Sequence, residues 1–139
     1  MIETTPSQGT TEYLNAVTNY LGGGYEATDQ FMRLFMAPGM GHCSGGAGPN
    51  AFGYANGNTG TIGNTPPLTP DADHDIFRAL VRWMEQGQAP QKIIATKYVN
   101  DNRANGVQRT RPLCVYPQVA RYQGTGTTND ASNFACVLP

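Results

Sequence analysis

The sequence has 139 residues, enough for one domain, and a net charge of −1 at pH 7. Charged residues make up only 14% of the chain, and they form no basic stripe of the kind that follows a nucleic-acid backbone. The longest apolar runs are far shorter than the roughly 20 residues that cross a bilayer. The composition therefore excludes a nucleic-acid binder and a membrane-spanning protein. The 17 glycines and 10 prolines predict long loops.

The first predicted element is a helix that begins near Thr10 and stops at the three glycines that start with Gly22. Its apolar residues recur at helical spacing, at Tyr13, Leu14, Val17, Tyr20 and Leu21. A short polar turn follows over residues 25–30. The compact apolar run 31–37 then predicts a buried strand, bounded by Pro38 and Gly39.

A long loop is predicted over residues 38–70, which are rich in glycine, proline and asparagine and show neither helical nor strand periodicity. Acidic residues from Asp71 open the clearest helix, which Gly87 ends. Its predicted apolar face consists of Ile76, Phe77, Leu80, Val81 and Met84. Residues 92–99 predict a strand, 101–106 a polar turn, and 107–113 a second extended segment. This order of elements suits the last part of an α/β domain.

The candidate for acid–base chemistry is His42, five residues after the predicted strand and within a glycine-rich turn. An imidazole can accept and return a proton near neutral pH. In α/β-hydrolases the catalytic histidine occupies a loop that follows a late strand. The alternative interpretation is a loop histidine that serves only as a hydrogen-bonding group.

Three other patterns carry weaker signals. His74, the second histidine, lies off the apolar face of its helix and is interpreted as a surface residue, and two separate histidines make no zinc site. The run 45–48 lacks the Lys-Ser/Thr of a phosphate-binding loop, and loop flexibility explains it better. Ser44 is too near His42 in sequence to be its nucleophile, and no serine sits in a Gly-x-Ser-x-Gly elbow. No metal or cofactor is expected.

Cys43, Cys114 and Cys136 are the only cysteines. An odd number leaves one thiol without a partner inside the chain if disulfides form. Three reduced cysteines in a cytosolic protein remain the alternative.

Several blocks together resemble the tannase and feruloyl esterase family. The first is Phe-Met-Arg-Leu-Phe-Met-Ala-Pro-Gly-Met-Gly-His-Cys, which ends at Cys43. Others are Ala-Leu-Val-Arg-Trp-Met-Glu-Gln-Gly, which ends at Gly87, and Arg-Thr-Arg-Pro-Leu-Cys, which ends at Cys114. Pro-Gln-Val-Ala-Arg-Tyr, which ends at Tyr122, and Asp-Ala-Ser-Asn-Phe-Ala-Cys, which ends at Cys136, complete the match.

The resemblance implies the C-terminal part of an α/β-hydrolase fold: a partial sheet with flanking helices and long loops, forming a single partial domain over residues 1–139. It implies hydrolysis of phenolic-acid esters by a Ser-His-Asp triad, with His42 as the base and a substrate-pocket loop that includes Met40 and Gly41. Cys43 would bridge to a cysteine beside the serine, outside this chain, and Cys114 would pair with Cys136. A secreted or periplasmic protein is expected, although no signal peptide is visible.

The chain departs from the family pattern in two ways. Nothing in it corresponds to the serine nucleophile, and the aspartate position falls near Met1 and Ile2, with Glu3 as a weak substitute. We therefore expect an esterase that needs residues outside this chain, supplied by a missing N-terminal part, or a chain that self-associates. The alternatives are a truncated, non-catalytic relic or binding module of the same fold, and an unrelated small binding protein.

Overall fold

The computed structural model describes residues 7–41, 45–53 and 66–139. The chain divides into two compact units, Met1–Leu34 and Phe35–Pro139. Helices and two small antiparallel sheets make up the regular structure of the described residues. Within them, no helix is long and apolar enough to cross a membrane.

The first unit contains helix α1 (Ser7–Leu21) and the short helix α2 (Gly24–Thr28). Helix α1 begins three residues before the predicted start at Thr10, and α2 replaces most of the predicted polar turn. A buried hydrogen bond of 2.9 Å joins the hydroxyl oxygens of Thr18 and Thr28. The Tyr25 hydroxyl donates to Asn15 Oδ1 at 2.6 Å. These side-chain hydrogen bonds connect the two helices across the turn between them.

The predicted strand at residues 31–37 is wrong. Only Phe35 makes a bridge, to Val115, and Phe31 is largely exposed. An apolar run becomes a strand only if a neighbouring strand pairs with it along its length, and in the described chain that pairing is limited to one residue.

The second unit is built on helix α3 (Ile76–Gln86) and strands β1 (Lys92–Tyr98) and β2 (Val107–Cys114). The two strands pair antiparallel, from Lys92 opposite Cys114 to Lys97 opposite Arg109. The core consists of Ala79 from α3 together with Ile93, Ala95 and Leu113. The predicted helix and both predicted strands are therefore confirmed as elements.

A side-chain cap fixes the start of α3, and a glycine with a left-handed backbone fixes its end. Asp75 is the N-cap, and its carboxylate accepts hydrogen bonds from the backbone N–H groups of Phe77 and Arg78 at 2.9 and 3.3 Å. The acidic residues 71–73 instead form the turn before the helix. Gly87 ends the helix with a φ of 68°, a left-handed conformation that glycine adopts without strain.

The predicted apolar face of α3 is not covered in this structure. Phe77 is 65% exposed, Met84 77% and Leu80 48%, whereas Ala79 is fully buried against the sheet. The helix therefore packs on the sheet through its small residue and presents its large apolar side chains outward.

A second two-stranded sheet lies in the C-terminal part of the described residues. Strands β3 (Val119–Tyr122) and β4 (Phe134–Val137) pair antiparallel. Two 3₁₀ turns lie between β1 and β2, and a third lies between β3 and β4. A disulfide joins Cys114 at the end of β2 to Cys136 in β4, the pair expected from the family resemblance. It ties the second sheet to the first.

Candidate functional site

The glycine-rich turn around the predicted base has a defined backbone on both sides of residues 42–44. Its first arm is 38–41 and its second arm is 45–48; together they are called the glycine loop below. Met40 and Gly46 form an antiparallel bridge, and the Gly41 N–H donates to Gly45 O at 3.1 Å. The Gly48 N–H donates to Gly39 O at 2.8 Å. The arms therefore run side by side, joined by backbone hydrogen bonds.

Close packing of the two arms requires three glycines of this loop, Gly39, Gly46 and Gly48. A Cβ atom on Gly48 would lie 2.0 Å from Pro38 O, and one on Gly46 would lie 2.3 Å from Gly39 O. Gly39 and Gly46 also have φ values of 75° and 86°. Flexibility, suggested for residues 45–48, is therefore not the reason for Gly46 and Gly48, because a side chain at either position would collide with the opposite arm. A Cβ atom on Gly45 would meet nothing within 4 Å.

Charged side chains from the β1–β2 sheet hold the second arm. Lys97 Nζ donates to Gly46 O at 2.7 Å and also contacts Asp101 Oδ1. The Arg109 guanidinium donates to Ala47 O. Two successive carbonyls of the loop are thus bound by two cations that stand opposite each other in the sheet.

Asp101 completes this arrangement. Its carboxylate accepts a hydrogen bond from Asn50 Nδ2 at 2.9 Å. Desolvation by partial burial would raise the pKa of Asp101, but hydrogen bonds from Lys97 and Asn50 and the charge of Lys97 outweigh it and hold that pKa below its usual range. Asp101 therefore stays ionised beside Lys97 at neutral pH.

The segment after the loop joins the sheet directly. The N–H groups of Asn50 and Ala51 donate to Thr96 O at 3.1 and 3.0 Å, and the Thr96 N–H donates to Ala51 O at 2.9 Å. These bonds to β1 fix the exit of the glycine loop.

A cleft of about 330 Å³ lies beside the base of the loop. Within it, the Arg111 guanidinium lies 4.3 Å from the ring centre of Phe134, which is a cation–π contact. Burial lowers the pKa of Arg111, and the neighbouring charge of Arg109 lowers it further. The remaining wall residues are Pro38, Pro49, Arg109, Pro112, Leu113 and Ala120. A larger hollow of about 560 Å³ lies along α3, but none of the predicted site residues lines it, so we do not assign it to the candidate site.

The residues predicted from sequence divide into two groups. His42 and Cys43 lie outside the described residues, so their predicted roles stay predictions. Met40 and Gly41 lie in the first arm of the glycine loop, Met40 half-buried and Gly41 exposed.

The other candidates of the sequence analysis are also accounted for. His74 lies in the turn before α3, where its Nδ1 is 2.7 Å from Asp71 Oδ1 and 2.8 Å from Thr69 Oγ1. Its side chain is 22% exposed, so His74 reaches the surface but is partly covered. Ser44 and Glu3 lie outside the described residues. Where the chain is described, no cluster of three potential metal ligands occurs.

Sequence reasoning missed Lys97, Asp101 and Arg109. A signal was present for Lys97, which follows the run Ile-Ile-Ala-Thr in a predicted strand, because a lysine at a buried position requires a partner. No comparable signal identified Arg109, whose role depends on the register of β1 against β2.

The chain was compared with known proteins. The family model described as tannase and feruloyl esterase matches residues 3–137. An uncharacterized esterase from Xanthomonas campestris pv. campestris is 53% identical over 110 residues, which cover 79% of this chain and 18% of that protein. A mono(2-hydroxyethyl) terephthalate hydrolase from Piscinibacter sakaiensis is 40% identical over 120 residues, which cover 86% of this chain and 16% of that protein.

Solved structures agree with this result. The crystal structure of an esterase from Aspergillus oryzae superposes with a TM-score of 0.76 at 30% identity, over 94% of this chain and 24% of that one. The chain thus spans about a fifth of the length of the proteins that it matches. With the family model matching nearly every residue, the chain belongs to the tannase and feruloyl esterase family.

Proposed function

We propose that this chain is the C-terminal part of the catalytic domain of a carboxylic ester hydrolase with an α/β-hydrolase fold, and that it supplies the histidine of a Ser-His-Asp triad. The single observation that carries the proposal is the family match over residues 3–137, which includes the Pro-Gly-Met-Gly-His-Cys block. The serine and the acid belong to the part of the protein outside these residues.

In this mechanism His42 accepts the proton of the serine hydroxyl as the serine oxygen attacks the ester carbonyl. His42 then returns that proton to the departing alcohol, and the acyl group remains on the serine. In the second half, His42 takes a proton from water, which attacks the acyl-serine ester, and the serine regains its proton as the acid leaves. The geometry of the glycine loop supports this role, because a base must be held within hydrogen-bond reach of its nucleophile.

The proposed substrates are esters of phenolic or similar aromatic acids, such as feruloyl and galloyl esters. The family match and the similarity to the Piscinibacter terephthalate hydrolase support this class, since ferulic, gallic and terephthalic acids are all aromatic carboxylic acids. The glycine loop, with Met40 and Gly41, borders the substrate pocket in this proposal. No cofactor takes part.

We also propose a secreted or periplasmic location. The disulfide between Cys114 and Cys136 supports it, since disulfides persist in oxidising compartments. In the same proposal Cys43 forms a second disulfide with a cysteine beside the serine. The outward apolar side chains of α3 pack against the rest of the catalytic domain, and an isolated chain self-associates through them.

The test measures release of free acid from methyl ferulate and methyl gallate by the longer protein that includes both this chain and the serine. His42→Ala should abolish turnover, and His74→Ala, the matched change at the only other histidine, should retain it. Turnover that survives His42→Ala would refute the assigned base.

Reading the gene upstream of Met1 supplies the second arm of the test. An in-frame segment with adjacent cysteine and serine is expected, and the protein that includes it should hydrolyse both esters. A stop codon there, together with no turnover by the chain alone, would leave the non-catalytic relic as the correct interpretation.

A further inference from the structure

Lys97 and Arg109 form an unusual pair in the β1–β2 sheet. They are direct cross-strand neighbours, in the register that aligns Lys97 with Arg109. Like charges directly opposite each other in an antiparallel sheet are destabilising. Lys97 is in addition only 7% exposed, and burying an ammonium group is costly unless it is paired. Such a pair requires a compensating interaction.

The compensation comes from the glycine loop and from Asp101. The two cations bind consecutive carbonyl oxygens, those of Gly46 and Ala47, which lie 51 and 62 residues earlier in the chain than the cations that hold them. Hydrogen bonds between a charged donor and a carbonyl are stronger than neutral ones. Asp101 forms an ion pair with Lys97.

The backbone after β1 is shaped to deliver that carboxylate. Asn100 and Asp101 both have a φ of 55°, a left-handed conformation that asparagine and aspartate adopt more readily than other residues with a side chain. The resulting turn brings Asp101 back to Lys97, four residues earlier. The turn therefore places a counter-ion beside the buried ammonium group.

We propose that Lys97 and Arg109, with Asp101 as counter-ion, are positioning residues that fix the glycine loop and thereby the base that follows Gly41. The inference rests on the proposed function, because it gives the fixed loop a catalytic purpose. The coupling runs through the backbone: the second arm is bound to the cations, the first arm is hydrogen-bonded to the second, and His42 follows the first arm directly.

The experiment measures amide hydrogen exchange by NMR on the purified chain. The reporters are the amides of Gly41 and Gly48, which donate across the loop, and the amide of Ile94, which donates to Asp73 O at 2.7 Å in the body of the unit, is the internal reference. Lys97→Met should accelerate exchange at both reporters about ten- to a hundredfold, because a hydrogen bond from a charged group is lost, and should leave Ile94 within about twofold.

Three further variants make the result specific. Lys97→Arg, which keeps the charge and a donor, should restore most of the protection. Asp101→Asn should loosen the loop in the same direction, and it replaces Lys97→Met as the test if that variant does not fold. Arg82→Met breaks a separate ion pair, between Arg82 and Asp73 at 3.2 Å, and should leave the loop reporters unchanged.

Two outcomes overturn the proposal. One is unchanged exchange at Gly41 and Gly48 in both Lys97→Met and Asp101→Asn. The other is equal acceleration at Ile94, which would show general destabilisation. Neither outcome depends on ester hydrolysis, so both can be told apart from a failure of the proposed function. If only the proposed function fails, Lys97→Met still accelerates exchange in the loop, but the protein shows no ester hydrolysis that His42→Ala abolishes. In an active preparation, Lys97→Met should lower kcat more than it changes KM.

Discussion

Replacing Gly48 by alanine tests whether close packing of the two arms defines the glycine loop. The new Cβ atom would lie 2.0 Å from Pro38 O and 2.9 Å from Gly39 C. Both contacts are with backbone atoms, which cannot rotate away as a side chain can. A tolerable separation of about 3 Å requires the arms to move apart by about 1 Å, since cores do not absorb such overlap without backbone shifts.

That movement has an energetic cost that can be estimated. The hydrogen bond from Gly48 N–H to Gly39 O is 2.8 Å long, so the same displacement breaks it. Overpacking costs about 1–3 kcal/mol and a lost hydrogen bond about 1 kcal/mol. We expect Gly48→Ala to lower the free energy of unfolding by about 2–4 kcal/mol. Because Gly48 does not have a positive φ, the cost arises from contact alone.

The assay is urea unfolding followed by far-ultraviolet circular dichroism and by fluorescence of Trp83, the single tryptophan, which reports on the second unit. Gly9→Ala is the matched control. Gly9 lies in α1 with no atom within 4 Å of an added Cβ, so alanine should stabilise that helix by about 0.5–1 kcal/mol. If Gly48→Ala unfolds within about 0.5 kcal/mol of the wild type, the packing argument for the loop is wrong.

Three further changes have expected outcomes. Replacing Cys114 and Cys136 by serine removes a cross-link between residues 22 apart, so the free energy of unfolding should fall by about 3 kcal/mol, and reductant should have the same effect on the wild type but none on the variant. Asp75→Ala removes the N-cap of α3 and should cost about 1–2 kcal/mol in thermal or urea unfolding, whereas Asp75→Asn should recover most of it. For Asp71, partial burial would raise the pKa, but hydrogen bonds from His74, Thr69 and the backbone lower it to about 2, from an ordinary 3.8. Because the folded-state pKa of Asp71 is depressed, its carboxylate stabilises the protein above about pH 4, and this contribution disappears as the pH falls to about 2. The free energies of unfolding of the wild type and of Asp71→Asn should therefore converge over that pH interval. A difference that stays constant with pH would contradict the assignment.

Sequence was sufficient for elements whose boundaries are local. The helix that ends at Gly87 is an example, because its last position has a left-handed backbone that glycine adopts at little cost. Strand β1 was also identified correctly, since a short run rich in β-branched and apolar residues is a local property. The start of α3 was misassigned by a few residues, because three aspartates within residues 71–75 are candidate caps, and the structure assigns the N-cap to Asp75, which has an extended backbone.

Motif density, rather than periodicity, identified the family. Blocks spread over most of the chain pointed to tannases and feruloyl esterases, and the family match over residues 3–137 confirms that assignment. The pairing of Cys114 with Cys136 likewise came from the resemblance, since three cysteines alone allow several arrangements.

Tertiary structure alone decided the features that depend on distant neighbours. The apolar run at residues 31–37 has the composition of a strand, yet it pairs through Phe35 only, because pairing requires a partner that composition cannot specify. The sequence around Gly46 and Gly48 is equally suited to a flexible loop. Only the tertiary structure shows that the opposite arm leaves no room for a Cβ atom at these two positions. Lys97 and Arg109 lie twelve residues apart in sequence, and only the register of two strands brings them side by side against consecutive carbonyls of the loop that leads to His42.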